Sequence, residues 1–199
     1  MNLRPSPWEI EPKLKKEHLC ELAGIIRDVR HEVLSLYNPE EGDGPWSLGC
    51  RVYERTINIL EKLAESSLWL EVVREQSLYF LILVEGIPLR FYRGRFDNPP
   101  EKTLRQSFPE LRFRQLSFDQ REWMWRIAVE TDDDGSVLRI IVAQYDGKGN
   151  FRNPWEVPLA GPVPVMASVN DERREAATLE QPALIPKKEK LLEEGKNAG

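Results

Sequence analysis

Two histidines, His18 and His31, and two cysteines, Cys20 and Cys50, are all the imidazole and thiol the chain contains. Metal ligation and nucleophile–base catalysis both need such groups within a few ångströms of one another. His18 and His31 fall thirteen positions apart in one helical pattern, which separates them by about 20 Å at 1.5 Å per residue; Cys20 and His31 lie about 16 Å apart. Neither pair can share a metal or a proton within one chain, and the HExxH and CxxC spacings are absent. Surface positions are expected for both histidines and ordinary core or boundary positions for both cysteines. No metal and no cofactor are expected.

Carboxylates offer a second kind of chemistry. Asp132, Asp133 and Asp134 precede an apolar strand that leads into Asp146, Gly147 and Lys148. This arrangement resembles that of the PD-(D/E)xK nucleases, in which two acids and a lysine gather at one sheet edge around a magnesium ion. The resemblance implies a metal-dependent nuclease-like enzyme as one alternative function. It departs from that pattern in three ways: the first acids sit in a hairpin turn with Asp146 at the far end of the returning strand, about 30 Å away; Gly147 stands between Asp146 and Lys148; and no proline precedes the first acids. The DDDG run lacks the alternation and terminal glutamate of a calcium loop. GKGN at Gly147 to Asn150 lacks the G-K-[ST] ending of a phosphate loop. Both read as turns.

The strongest asymmetry is one of charge. Residues 86–126 hold nine basic and five acidic residues, so they carry +4 while the rest of the chain carries −9. Eight of the nine are arginine, and aromatic residues lie among them. Arginine supplies a planar fork of donors suited to carboxylate or phosphate, and an adjacent aromatic can stack on a base or fill a partner's groove. The candidate partner-binding residues are therefore Arg90, Tyr92, Arg93, Arg95, Arg112, Arg114, Trp123 and Arg126. The expectation is a non-enzymatic interaction or regulatory protein that binds an acidic protein partner through an arginine/aromatic surface. A nucleic-acid-binding module is the first alternative, disfavoured because phosphate-directed binders show a basic bias over the whole domain.

The elements that must carry these residues follow from periodicity. Leu19, Leu22, Ile26, Val29, Val33 and Leu36 recur at steps of three and four and predict a helix over 17–36, ended by Asn38 and Pro39. A second helix over about 45–65 is predicted with Val52, Tyr53, Thr56, Ile57, Leu60, Leu63 and Ala64 on its buried stripe. Strand patterns follow at LWLEVV, SLYFLILV and IPLRFY, where Pro88 suggests an edge strand. A short helix is expected from about Asn98 to Phe108. Strands resume at REWMWRIAVE, SVLRIIVAQY and FRNPWEVPL, separated by turns at Asp132–Gly135 and Asp146–Gly147. In RFYRGR, alternation sets Phe91 on one face and Arg90 with Tyr92 on the other.

The fold class expected is α+β: an N-terminal helix pair packed on a mainly antiparallel sheet of about six strands. Residues 1–15 read as an extended arm anchored by Trp8 and Ile10, residues 16–168 as one domain, and residues 169–199 as a short helix and flexible charged tail. With 199 residues, 41 % hydrophobic and 31 % charged, the chain is long enough to bury a real core. The N-terminal sequence has no apolar run ahead of a small-residue cleavage site, and the longest strongly apolar run, Leu78 to Val84, is far below the roughly 20 residues of a bilayer helix. A cytoplasmic protein with no membrane association is expected, with oligomeric state left open.

Overall fold

Ser6 starts the first element with a capping box, donating from its backbone N–H and its hydroxyl to the Glu9 carboxylate at 2.6 and 2.7 Å. The result is α1 (Pro7–Ile10), a single turn of helix where the prolines suggest an extended arm. The computed structural model describes residues 5–75, 79–107, 110–111 and 123–159, all within one compact unit. The expected short helix and tail over 169–199 lie outside the described residues. Trp8 meets Trp155 edge-on at 5.0 Å, and Leu14 is fully buried, so this segment is tied to the body by apolar contact.

The two long helices are α2 (Lys16–Ser35) and α3 (Pro45–Ser66). Leu19, Leu22, Ile26, Val29 and Val33 on α2 are buried, as are Val52, Thr56, Ile57 and Leu60 on α3. Thr56 satisfies its hydroxyl by donating to the Val52 carbonyl. Leu36 departs from the expected stripe: it is the C-cap of α2, where the chain turns away, and it is exposed. The connecting tip is a 3₁₀ turn, Pro39–Glu41, saturated with local bonds. Asn38 accepts from the Glu40 N–H, and the Asp43 carboxylate accepts from the Asn38 N–H at 3.0 Å and from Arg51.

The strands are β1 (Leu70–Glu75), β2 (Tyr79–Val84), β3 (Ile87–Arg93), β4 (Met124–Thr131), β5 (Val137–Tyr145) and β6 (Phe151–Glu156), with a short helix α4 (Glu101–Leu104) between β3 and β4. They form one six-stranded sheet in sequence order. All neighbouring pairs are antiparallel except β3 and β4, which run parallel. Glu85 and Gly86 both adopt positive φ (50° and 80°), the requirement of a tight type I′ turn between β2 and β3.

Pro88 does not mark an edge. β3 lies inside the sheet, and its ladder to β4 begins at Leu89, so the missing proline N–H falls before the first parallel pairing. The helices cover one face, over Ile82, Val84, Leu89, Ile127, Ile140 and Val142. Opposite, Tyr92, Ala128, Ile141, Ala143 and Tyr145 are buried beneath Phe96, Leu104 and Phe151. The sheet is therefore covered on both faces across its centre, which is why β4 is buried from Met124 to Glu130.

Leu22 and Leu60 sit at the helix–sheet contact with no exposed surface. Leu22→Ala and Leu60→Ala are each expected to cost about 2 to 5 kcal/mol through lost transfer energy plus a cavity, read as a fall in the urea midpoint. A second test concerns pH. The Asn38 N–H, with Arg51 and Ser47 adding to it, holds the Asp43 carboxyl below its ordinary value of 3.8. The folded chain thus binds fewer protons than the unfolded one in that range, so the contribution is present above the unfolded value and lost as pH falls through the lowered one. The thermal midpoints of the wild type and Asp43→Asn should converge as the pH is lowered below 3.8, with the wild type the more stable at about pH 6.

Candidate interaction site

Alternation along β3 divides the arginine segment between the two faces of the sheet. Leu89 and Phe91 face the helices, and Arg93 continues that side; Arg90 and Tyr92 take the other. Arg90 is the register partner of Arg126 on β4. Both reach into the crossover that links β3 to β4.

Arg126 is 0 % exposed and Glu110 only 1 %, and together they form a buried ion pair with Nη1–Oε1 at 2.7 Å and Nη2–Oε2 at 3.2 Å. Arg126 Nε donates to the Thr103 carbonyl at 2.8 Å, Nη1 also to the Trp125 carbonyl, and Nη2 also to the Met124 sulfur. All five guanidinium N–H groups are thereby used. Arg90 donates to the Arg105 carbonyl at 3.0 Å.

Tyr92 is buried with its hydroxyl 3.1 Å from that of Tyr145, which donates to the Phe96 carbonyl at 2.7 Å. Burial pushes the Tyr145 phenol up to about 12 and raises Tyr92 further, so both stay neutral. Arg126 and Tyr92, expected on a partner surface, are interior residues whose polar atoms hold the crossover. Arg95 is exposed but forked onto Asp97 at 2.9 and 2.6 Å. Arg93 is exposed at the last register position of the β3–β4 ladder, opposite Val129. Arg112 and Arg114 lie outside the described residues.

Trp123 is the aromatic member that keeps solvent contact, and its partner is a residue the charge count passed over. The Arg152 guanidinium lies 4.1 Å from the Trp123 ring centroid, and its Nε donates to Gln144 Oε1 at 2.8 Å. Gln144 is buried, so the anchor is fixed. The stagger that aims Arg152 is local to β6. The β5–β6 register shifts between Val142 and Gln144, where Asn153 takes φ 50° and is followed by Pro154. Asparagine tolerates the left-handed region, and an irregularity of this kind re-aims side chains at a sheet rim. The sequence signal was the Asn-Pro pair in mid-strand.

The remaining candidates are not brought together. Asp132–Asp134 and Asp146 occupy turns at opposite ends of β5, and Asp146 is spent on its own turn, accepting from the backbone N–H groups of Lys148 and Asn150. Among the described residues no three His, Cys, Asp or Glu side chains are grouped as metal ligands would be. His18 is not a plain surface residue: it stacks on Trp69 at 4.2 Å, while His31 is exposed. Cys20 is half-buried and Cys50 exposed, and burial raises the Cys20 thiol away from the nucleophilic thiolate. An open depression of about 430 Å³ beside β6 is lined by Leu138, Arg139 and Glu156 to Leu159. Its two charges answer each other at 3.8 Å.

Comparison with family models, curated proteins and solved structures finds no match. No helix among the described residues is long and apolar enough to cross a membrane.

Breaking the Arg126–Glu110 pair strands a buried charge. Arg126→Met and Glu110→Leu are each expected to cost about 3 to 5 kcal/mol, and the two combined much less than their sum. A double-mutant cycle by urea unfolding measures this; strict additivity would remove the pair from its structural role.

Proposed function

We propose that this chain is a non-enzymatic interaction protein that receives an acidic segment of a protein partner at the Trp123–Arg152 corner of the sheet. The single observation behind this reading is the state of Arg152. Its guanidinium lies over the Trp123 ring and its Nε is bonded to Gln144, while the residue is exposed. The Nη edge is left to face a carboxylate, and the rotamer freedom that binding would otherwise cost is already lost. Stacked arginine and tryptophan are also the residue types on which interface energy concentrates.

The other cations of the arginine segment support a different role. Arg126 and Arg90 bond the crossover, and Arg95 is neutralised by Asp97. Among the described residues they do not form the continuous track along one face that a nucleic-acid backbone requires.

The test is fluorescence anisotropy with a labelled short peptide rich in Asp, Glu and Leu, against a single-stranded oligonucleotide, at about 0.15 M salt. Saturable peptide binding is expected, weakened about 30-fold by Arg152→Ala or Trp123→Ala, with Arg152→Lys failing to restore it because lysine lacks the planar fork. Absence of peptide binding would overturn the proposal. Tighter binding of the oligonucleotide, lost in the same variants, would replace it with the nucleic-acid reading.

A further inference from the structure

The tip of the α2–α3 hairpin exposes the largest apolar side chain of the described chain. Trp46, in the first turn of α3, is 82 % exposed, and Leu36, where α2 ends, is 54 % exposed. Trp46 is the one aromatic among the exposed large hydrophobic side chains of the described residues, and scattered exposed leucines are ordinary. Around them the backbone is fixed. The Asp43 carboxylate ties Asn38 to Arg51, Asn38 caps the 3₁₀ turn, the Glu41, Gly42 and Asp43 N–H groups bond back to the Asn38 and Pro39 carbonyls, and the Gly44 N–H donates to Ser47. Below, Tyr37 packs on the cluster of Val29, Val33, Leu48 and Val52. A tip so bonded needs little further ordering of its backbone on binding.

Its charge says what would cover it. Between Leu36 and Ser47 there is no basic residue, and there are three acids. Asp43 is neutralised by Arg51, whereas Glu40 and Glu41 are exposed, with no ion pair among the described residues. An exposed indole on the same hairpin tip as two exposed carboxylates attracts a cation over the ring face and repels a second acidic surface. We infer that the α2–α3 tip is a docking surface for a basic protein segment, a lysine or arginine lying on Trp46 and facing Glu40 and Glu41, and an aliphatic side chain reaching Leu36. It involves none of the residues of the Trp123–Arg152 corner, so the chain would carry two sites of opposite electrostatic preference.

The experiment titrates the full chain into a labelled short peptide of alternating Lys and Leu, read by anisotropy. Saturable binding is expected, weakened about tenfold by Trp46→Ala, weakened by Glu40→Gln combined with Glu41→Gln, diminished by salt, and unchanged by Arg152→Ala. Because the Trp46 ring is outside the core, circular dichroism and the urea midpoint should match the wild type. No saturable binding, or equal binding by Trp46→Ala, would overturn the inference. So would a concentration-dependent dimer in sedimentation that Trp46→Ala abolishes, since the occupant would then be a second copy.

Discussion

A guanidinium with no exposed surface is the constraint around which this fold is arranged. Removing an ion from water is costly, and the attraction of its partner repays that cost only where the remaining donors and acceptors are also met. Arg126 meets the condition in full, with Glu110 on one side and the Thr103 and Trp125 carbonyls on the other. Its partners come from β4 and from Thr103 and Glu110 of the crossover, so satisfying the charge fixes those two positions against the sheet. A parallel pair such as β3–β4 requires a long connection, and α4 is a four-residue helix among its described residues. Polar side chains of the sheet hold the described part of that connection, at Thr103, Arg105 and Glu110.

The same logic runs along the rest of that face. Glu130 accepts from the Phe96 N–H and from Arg139, Tyr145 donates to the Phe96 carbonyl, and the Gly94 N–H bonds the Val129 carbonyl. The bonds to Phe96 and Val129 meet backbone groups, and the Arg139 bond meets the second oxygen of the Glu130 carboxylate. The helix-covered face is held differently, by aliphatic side chains and by the ring contacts of Tyr53, Phe80 and Phe91 at centroid separations of 5.1 to 6.0 Å. One face is non-directional and tolerant of shape, and the other is directional and fixed by geometry.

This difference explains what was legible in the residues beforehand. The helices were readable because a three-and-four apolar stripe has one economical solution, and Leu19 to Val33 occupy it without interruption. The strands were readable because Trp125, Ile127 and Val129 alternate with Met124, Arg126 and Ala128. The parallel pairing was not readable, since alternation is the same for either strand direction. Nor was the fate of the arginines: a charge at an inward position of a strand pattern looks like the start of a solvated face unless its partner, Glu110, is known to arrive from the crossover. Arg152 was passed over for the complementary reason. It lies beyond the basic segment, and its orientation comes from a shifted register and from a buried glutamine eight positions earlier.

Counting cations along a sequence therefore measures the wrong quantity. What decides whether an arginine can act on a partner is how many of its N–H groups the fold has already used and how firmly its plane is held. Arg126 is held and entirely used, and Arg95 is forked onto a neighbour two residues away. Arg152 has its guanidinium over an aromatic ring and its Nε donor spent on a buried amide. An arginine with all donors engaged adds stability and offers no recognition, whereas an unheld one must lose much side-chain entropy on binding. The intermediate state, orientation fixed with donors left over, is the one that converts local packing into affinity.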